Sequence, residues 1–287
     1  MKIVKTTLMI VAVLLVVGIV GLIGMMSGAF RTPASFHDFA AAPGVPAAPG
    51  AVLVVGATQN TGLEVVRELR ARKQPVVASV RSTSNTAALD ALGVEKVVMD
   101  VMDEQQVREV IVPGRYSAVV STVGTAARDL PERRNMFKAM FEGPNRMDPA
   151  KRPDYAGNRN LMDAAKAAGI PRFIFVTVIG TGDSFDAAPG PARRGLMDVI
   201  PLKNQAESHL RASGLDYTII RPGGLGPSML AATGTARLTE DPASFSYIAR
   251  KDLARLVVDS LGDPSTAGHT YTAWDRSRRN IWNLFID

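Results

Sequence analysis

The chain has 287 residues, 46% of them hydrophobic and 21% charged, with a formal net charge of +6. That balance is globular and sets aside disordered, collagenous and low-complexity classes, and so mild a positive charge carries no nucleic-acid signature. The lack of cysteine excludes disulfides, cysteine-ligated zinc, iron–sulfur clusters and a thiol nucleophile, and His37, His209 and His269 lie too far apart to suggest a metal pair, so no metal site is expected.

No charged residue stands between Lys5 and Arg31, and the apolar stretch is long enough for a helix of about 20 residues to cross a hydrocarbon core. Residues 1–31 are therefore expected to be a single-pass membrane anchor touching lipid through residues 6–30. The alternative is a signal peptide cleaved near Ser27, Gly28 and Ala29. Lys2 and Lys5 before the stretch would keep the N-terminus cytoplasmic and send the domain across; the nucleotide chemistry developed below favours a cytoplasmic domain. Residues 32–50, rich in alanine, proline and glycine, read as a tether without a core of its own.

The globular part, residues 51–287, opens with an apolar run Val52 to Val55, a glycine/threonine turn, and a helical pattern in which Leu63, Val66 and Leu69 recur among charges. A second apolar run, Val76 to Val80, completes a βαβ unit. Such a unit sets the amides of Ala57 to Gly62 at a helix N-terminus, where unpaired N–H groups and the helix dipole favour a pyrophosphate. Farther on, Val97 to Met99 ends in Asp100, and the run Ser117-Ala-Val-Val120 is followed by Ser121, Thr122, Val123 and Gly124. Residues 126–153 form an insertion with basic residues Arg128, Arg133, Arg134, Lys138, Arg146, Lys151 and Arg152. In it Met136, Phe137, Met140 and Phe141 could share one side of a short helix. A loop packed on the domain, a lid, a lipid-facing piece and a partner contact all fit that composition. In the last segment Trp282 and Phe285 fit docking on the domain or on a membrane equally well.

Gly56-Ala-Thr-Gln-Asn-Thr-Gly62 resembles the GATGxTG turn of the atypical short-chain dehydrogenase/reductases, the group with NmrA-like and biliverdin-reductase-B-like members; Gln59 stands where that pattern has its middle glycine. Asp154-Tyr155 with Gly157 to Leu161, Lys203 to Glu207 with the following Leu-Arg-Ala-Ser-Gly-Leu-Asp-Tyr-Thr, and Ile248-Ala-Arg250-Lys-Asp252-Leu-Ala extend the resemblance in order over residues 50–275. It implies a Rossmann-type doubly wound parallel α/β sheet. It also implies cofactor contacts from Gly56, Ala57, Thr58, Gln59, Asn60, Thr61, Gly62, Asp100, Ser121, Thr122, Val123, Gly124, Thr177 and Lys203. Arg81 and Ser82 follow the second strand where an NAD-selective chain usually carries an acid for the ribose 2′-hydroxyl, so NADP(H) is expected over NAD(H). Pro222 and Gly223, with Gly224 and Leu225, are expected to form the wall beside the nicotinamide. That wall carries no charge; Arg193 and Arg194 are the candidates to match a charged substrate.

The superfamily's Tyr-x-x-x-Lys pair keeps its lysine at Lys203 but has Val199 in place of the tyrosine, and of the serine motif only Thr177 keeps a hydroxyl. Valine transfers no proton, so the usual relay is missing. Lys203 and Thr177 are the catalytic candidates for reducing a small-molecule substrate. The alternative is an NADP(H) sensor without turnover, or an accessory or assembly subunit with a membrane-protein partner. Tyr155 and Tyr217 read as a helix-start residue and a packed strand residue.

Overall fold

The computed structural model describes residues 11–16, 18–19, 32–39, 50–125, 148, 152–227 and 229–279. Strands β1 (Ala51–Val55), β2 (Val76–Val80), β3 (Glu95–Val98), β4 (Tyr116–Ser121), β5 (Arg172–Val176), β6 (Asp216–Pro222) and β10 (His269–Asp275) run parallel, with β8 (Ala236–Thr239) antiparallel at one edge. The order across the sheet is β3-β2-β1-β4-β5-β6-β10-β8, and a short pair of β7 (Gly224–Leu225) and β9 (Tyr247–Ile248) stands apart. The order reverses between β1 and β4, which opens a crevice at the carboxyl ends of those strands.

Alternation along β1 shows how the sheet is held. Val52 and Val54 enter one apolar layer, with Val65, Val66 and Leu69 of α1 (Asn60–Ala71) and Leu253, Leu256 and Val257 of α7 (Arg250–Gly262). Leu53 and Val55 enter the other, with Val107 of α3 (Glu104–Val110), Leu161 and Ala165 of α4 (Ala156–Ala167) and Ala206 and Leu210 of α6 (Ile200–Ala212). A strand buried on both faces reads as an unbroken valine/leucine run, and each such side chain contributes roughly 1.5–3 kcal/mol on burial. Two shorter helices are α2 (Ala87–Ala91) and α5 (Gly190–Gly195).

Two expectations need revision. Among the described residues no helix is long and apolar enough to cross a membrane, which overturns the single-pass membrane location. Of the N-terminal stretch, residues 11–16 and 18–19 are helical; the rest of 1–31 lies outside the described residues. The segment read as a tether is also partly docked. The His37 N–H donates to Leu238 O at 2.8 Å and Thr239 Oγ1 donates to Ser35 O at 2.7 Å, so residues 35–37 follow the edge strand β8. Phe36 lies 5.3 Å from the Trp274 ring, Phe39 packs against the core, and His37 bonds Asp263 at 2.9 Å and Tyr271 at 3.3 Å. The short basic helix expected at 133–141, Trp282 and Phe285 lie outside the described residues.

Candidate functional site

The first turn is shaped by three residues with different roles. Gly56 has φ +86°, and a Cβ on Gly62 would stand 2.2 Å from Gly56 O, so both positions require glycine. Gln59 has φ −160°, an extended conformation open to any residue, and its side chain is exposed. The left-handed residue is instead Asn60, at φ +52°, and asparagine tolerates that conformation better than other side chains. Loss of the middle glycine therefore does not distort the turn. No side chain caps α1 and its first turn holds no acid, so its leading amides are presented toward the crevice.

That crevice is a cleft of about 540 Å³, of the size small-molecule sites take. Of the expected residues, Gly56, Thr58, Gln59, Asn60, Thr61, Gly62, Arg81, Asp100, Thr122, Val123, Gly124, Thr177 and Lys203 line it. Of the expected nicotinamide wall, Leu225 also lines it; the other expected residues stand elsewhere. Ala57 is wholly buried in the core. Ser82 is exposed off the cleft, and Ser84 lines it instead, with its Oγ accepting the Arg81 N–H at 3.1 Å. Ser121 is the last residue of β4, fully buried, and donates to Asn158 Oδ1 at 2.6 Å. Pro222 ends β6, its carbonyl taken by the Ile179 N–H, and Gly223 is pressed on the Ser246 backbone, where a Cβ would come within 2.1 Å of the carbonyl. Arg193 is paired with Asp186 at 2.8 Å and stacked over Phe185, and neither it nor Arg194 lines the cleft.

Lys203 is 5% exposed; Nζ donates to Val123 O and lies 4.8 Å above the Phe175 ring centre. Burial pushes its ammonium down to about 8, although Asp154 and Glu207 pull the other way. Thr177 donates to Glu207 Oε1 at 2.9 Å, and Arg221 grips the same carboxylate through Nε at 3.2 Å and a terminal nitrogen at 2.6 Å. Burial opposes charge on Glu207, but Arg221, Thr181 and Thr177 hold its carboxyl below the usual carboxylate range. The Thr177 proton is thus committed to a fixed anion. Val199, at the start of α6, lines the cleft one turn before Lys203.

Sequence reasoning missed Asp154 and Arg250 as cleft residues. Asp154 is 1% exposed, accepts the Thr125 N–H at 3.1 Å and is backed by Arg152, which also pairs with Asp198 at 2.8 Å. Arg152, which the sequence places in the insertion, is buried against Asp154. The motif position of both residues was visible; their direction was not.

The comparisons agree with this architecture. A family model described as NAD(P)H-binding matches residues 56–264. The pea (Pisum sativum) chloroplast protein TIC 62 is 32% identical over 191 residues, which covers 61% of this chain but only 32% of that protein, so the chain spans about a third of that relative's length. The photosystem II assembly factor Ycf39 of Synechocystis is 25% identical, covering 77% of this chain and 61% of that protein. The structure of the anaerobillin reductase ChuY of Escherichia coli O157:H7 is similar at TM-score 0.63 and 27% identity, covering 79% of this chain and 97% of that one. With a match over most of its length and a sheet whose switch point opens this cleft, the chain belongs to the NAD(P)H-binding family, among the atypical short-chain dehydrogenase/reductases.

Proposed function

We propose that the chain binds NADP(H) in preference to NAD(H) and reduces a small, largely apolar substrate. The observation that carries the reading is the composition of the cleft. An uncapped helix start faces it, and the residues after β2 contribute Arg81 and Ser84 to its lining. The acid nearest in the lining from the β3 side, Asp100, uses Oδ1 to accept the Met102 N–H at 2.9 Å. A cation with neighbouring hydroxyls suits a 2′-phosphate, whereas a ribose 2′-hydroxyl calls for a carboxylate. The residues fit a dinucleotide, because Gly56 and Gly62 leave the turn bare of side chains where a diphosphate would approach.

When bound, NADPH supplies the hydride. The chain's own residues then have separable tasks. Lys203 holds a proton at Nζ, aimed by Val123 O, and with its ammonium near 8 it can release that proton around neutral pH. Thr177 cannot pass its proton to the ionised Glu207 usefully, so its task is positioning. Val178, Leu196, Val199 and Leu225 give the substrate side apolar walls that exclude water.

Val199 supports a second reading: nucleotide binding without turnover, as in a redox sensor or an accessory subunit of a larger complex. The similarity to an assembly factor is compatible with it. Titration with NADPH and NADH, followed by nucleotide consumption in the presence of quinones, flavins and aldehydes, separates the two. Turnover supports the reductase; tight binding with no consumption by any acceptor supports the second reading.

A further inference from the structure

Arg250 is the first residue of α7 and lines the cleft, held next to Leu225 by its bond to the neighbouring Gly226. A terminal nitrogen of its guanidinium donates to Gly226 O, and Nε is buried with no hydrogen-bond partner. Among the described residues no carboxylate pairs with it. Two features of the placement work against a cation. Burial pushes its pKa down with no acid to offset the effect, and the start of a helix carries positive potential. Other buried cations are treated differently: Lys203 in the cleft has Asp154 and Glu207 near, and Arg221 has Glu207 and Asp183. Arg250 is half-buried, and a partly desolvated charge without a counter-ion gains from a ligand that supplies one.

We infer that Arg250 is the anchor for a negatively charged group on the substrate, so that the acceptor is an apolar small molecule bearing a carboxylate. The inference rests on the reductase reading only in that the substrate side of the cleft is the place of binding. With one terminal nitrogen on Gly226 O and Nε buried, the other terminal nitrogen is left to donate to a carboxylate, and the aliphatic side chains of the cleft match an apolar body. Arg193 and Arg194, the cations suggested by the loop sequence, do not reach this wall.

The test uses the full chain saturated with NADPH and two probes of nearly identical shape, 2-naphthoate and its neutral counterpart 2-naphthamide, titrated by calorimetry. Naphthoate is expected to bind at least about tenfold more tightly than the amide. The preference should vanish in Arg250→Met and persist in Arg250→Lys, with NADPH affinity unchanged in both. Arg250→Lys keeps the charge and controls for folding of the Met variant, whose circular dichroism is compared with the parent. Equal binding of the two probes to the parent, or a preference surviving in a folded Arg250→Met, overturns the inference. So does loss of NADPH affinity in Arg250→Met with the naphthoate preference intact, because that assigns the guanidinium to the nucleotide. If NADPH binds to none of the proteins, the probes are titrated alone. A preference for naphthoate that depends on Arg250 then supports the anchor while the nucleotide reading falls.

Discussion

On the proposed reading, Arg81 sets which nucleotide is preferred. Arg81 and Ser84 both line the cleft after β2, and a guanidinium bonds a phosphate more strongly than a neutral hydroxyl. Arg81→Ala should weaken NADPH binding by about tenfold or more and NADH binding by less than about threefold, as read by fluorescence titration. Equal weakening would remove the assignment. Lys203 makes a separate prediction, on stability. Its folded-state pKa, about 8, lies below the ordinary 10.5. Below pH 8 the ammonium is charged in both folded and unfolded chains, and its burial costs stability in full. Between pH 8 and 10.5 the folded chain binds fewer protons than the unfolded one, so stability rises with pH. Compared with Lys203→Met, the parent should gain up to roughly 3 kcal/mol across that window in denaturant titrations; a constant difference would contradict the buried, depressed lysine. At this scale the sequence was informative about identity and silent about direction. Lys203 and Thr177 could be named from a motif, but only the fold shows that Thr177 is tied to Glu207, or that Ser121 turns to Asn158 and away from the cleft.

The glycine turn and helix α1 act as one element, because Gly62 lies directly on the Gly56 carbonyl. Backbone cannot yield there as a side-chain end can. Gly62→Ala should lose about 1–3 kcal/mol of stability and most nucleotide affinity, measured by thermal melting and titration on the same protein. An unchanged melt would show that the contact relaxes. The docked segment 35–39 belongs to this scale too. His37 joins Asp263 on the loop after α7 to Tyr271 on β10, and His37→Ala should destabilise the chain by about 1 kcal/mol while leaving nucleotide affinity intact. A full-strength melt in that variant would mean the segment contributes nothing. The alternation of apolar runs with helical patterns made the βαβ units plain from residues alone. The docked segment was hidden, because alanine, proline and glycine dominate residues 32–50 around it and its rings Phe36 and His37 find partners more than 200 positions away.

For the whole molecule, a parallel sheet needs both faces covered, so its strands declare themselves as continuous apolar runs and its topology follows from the alternation of strands and helices. The cleft at the switch point was legible for the same reason: it is a consequence of strand order. Its substrate side was legible only in part: Val199 and Leu225 could be named from motif positions, whereas Asp154 and Arg250 turn into the cleft from segments before α4 and at the start of α7, helices on opposite faces of the sheet. The long apolar stretch at the N-terminus shows the converse. Hydropathy alone suggested a membrane location that the described residues do not bear out. The central claim is that the uncapped start of α1 and the bare glycine turn hold a dinucleotide diphosphate although Gln59 replaces a glycine. The most direct measurement is a calorimetric titration of the intact chain with NADPH and with NADH. The account predicts saturable one-to-one binding of both, tighter for NADPH; the absence of heat with either nucleotide would contradict it.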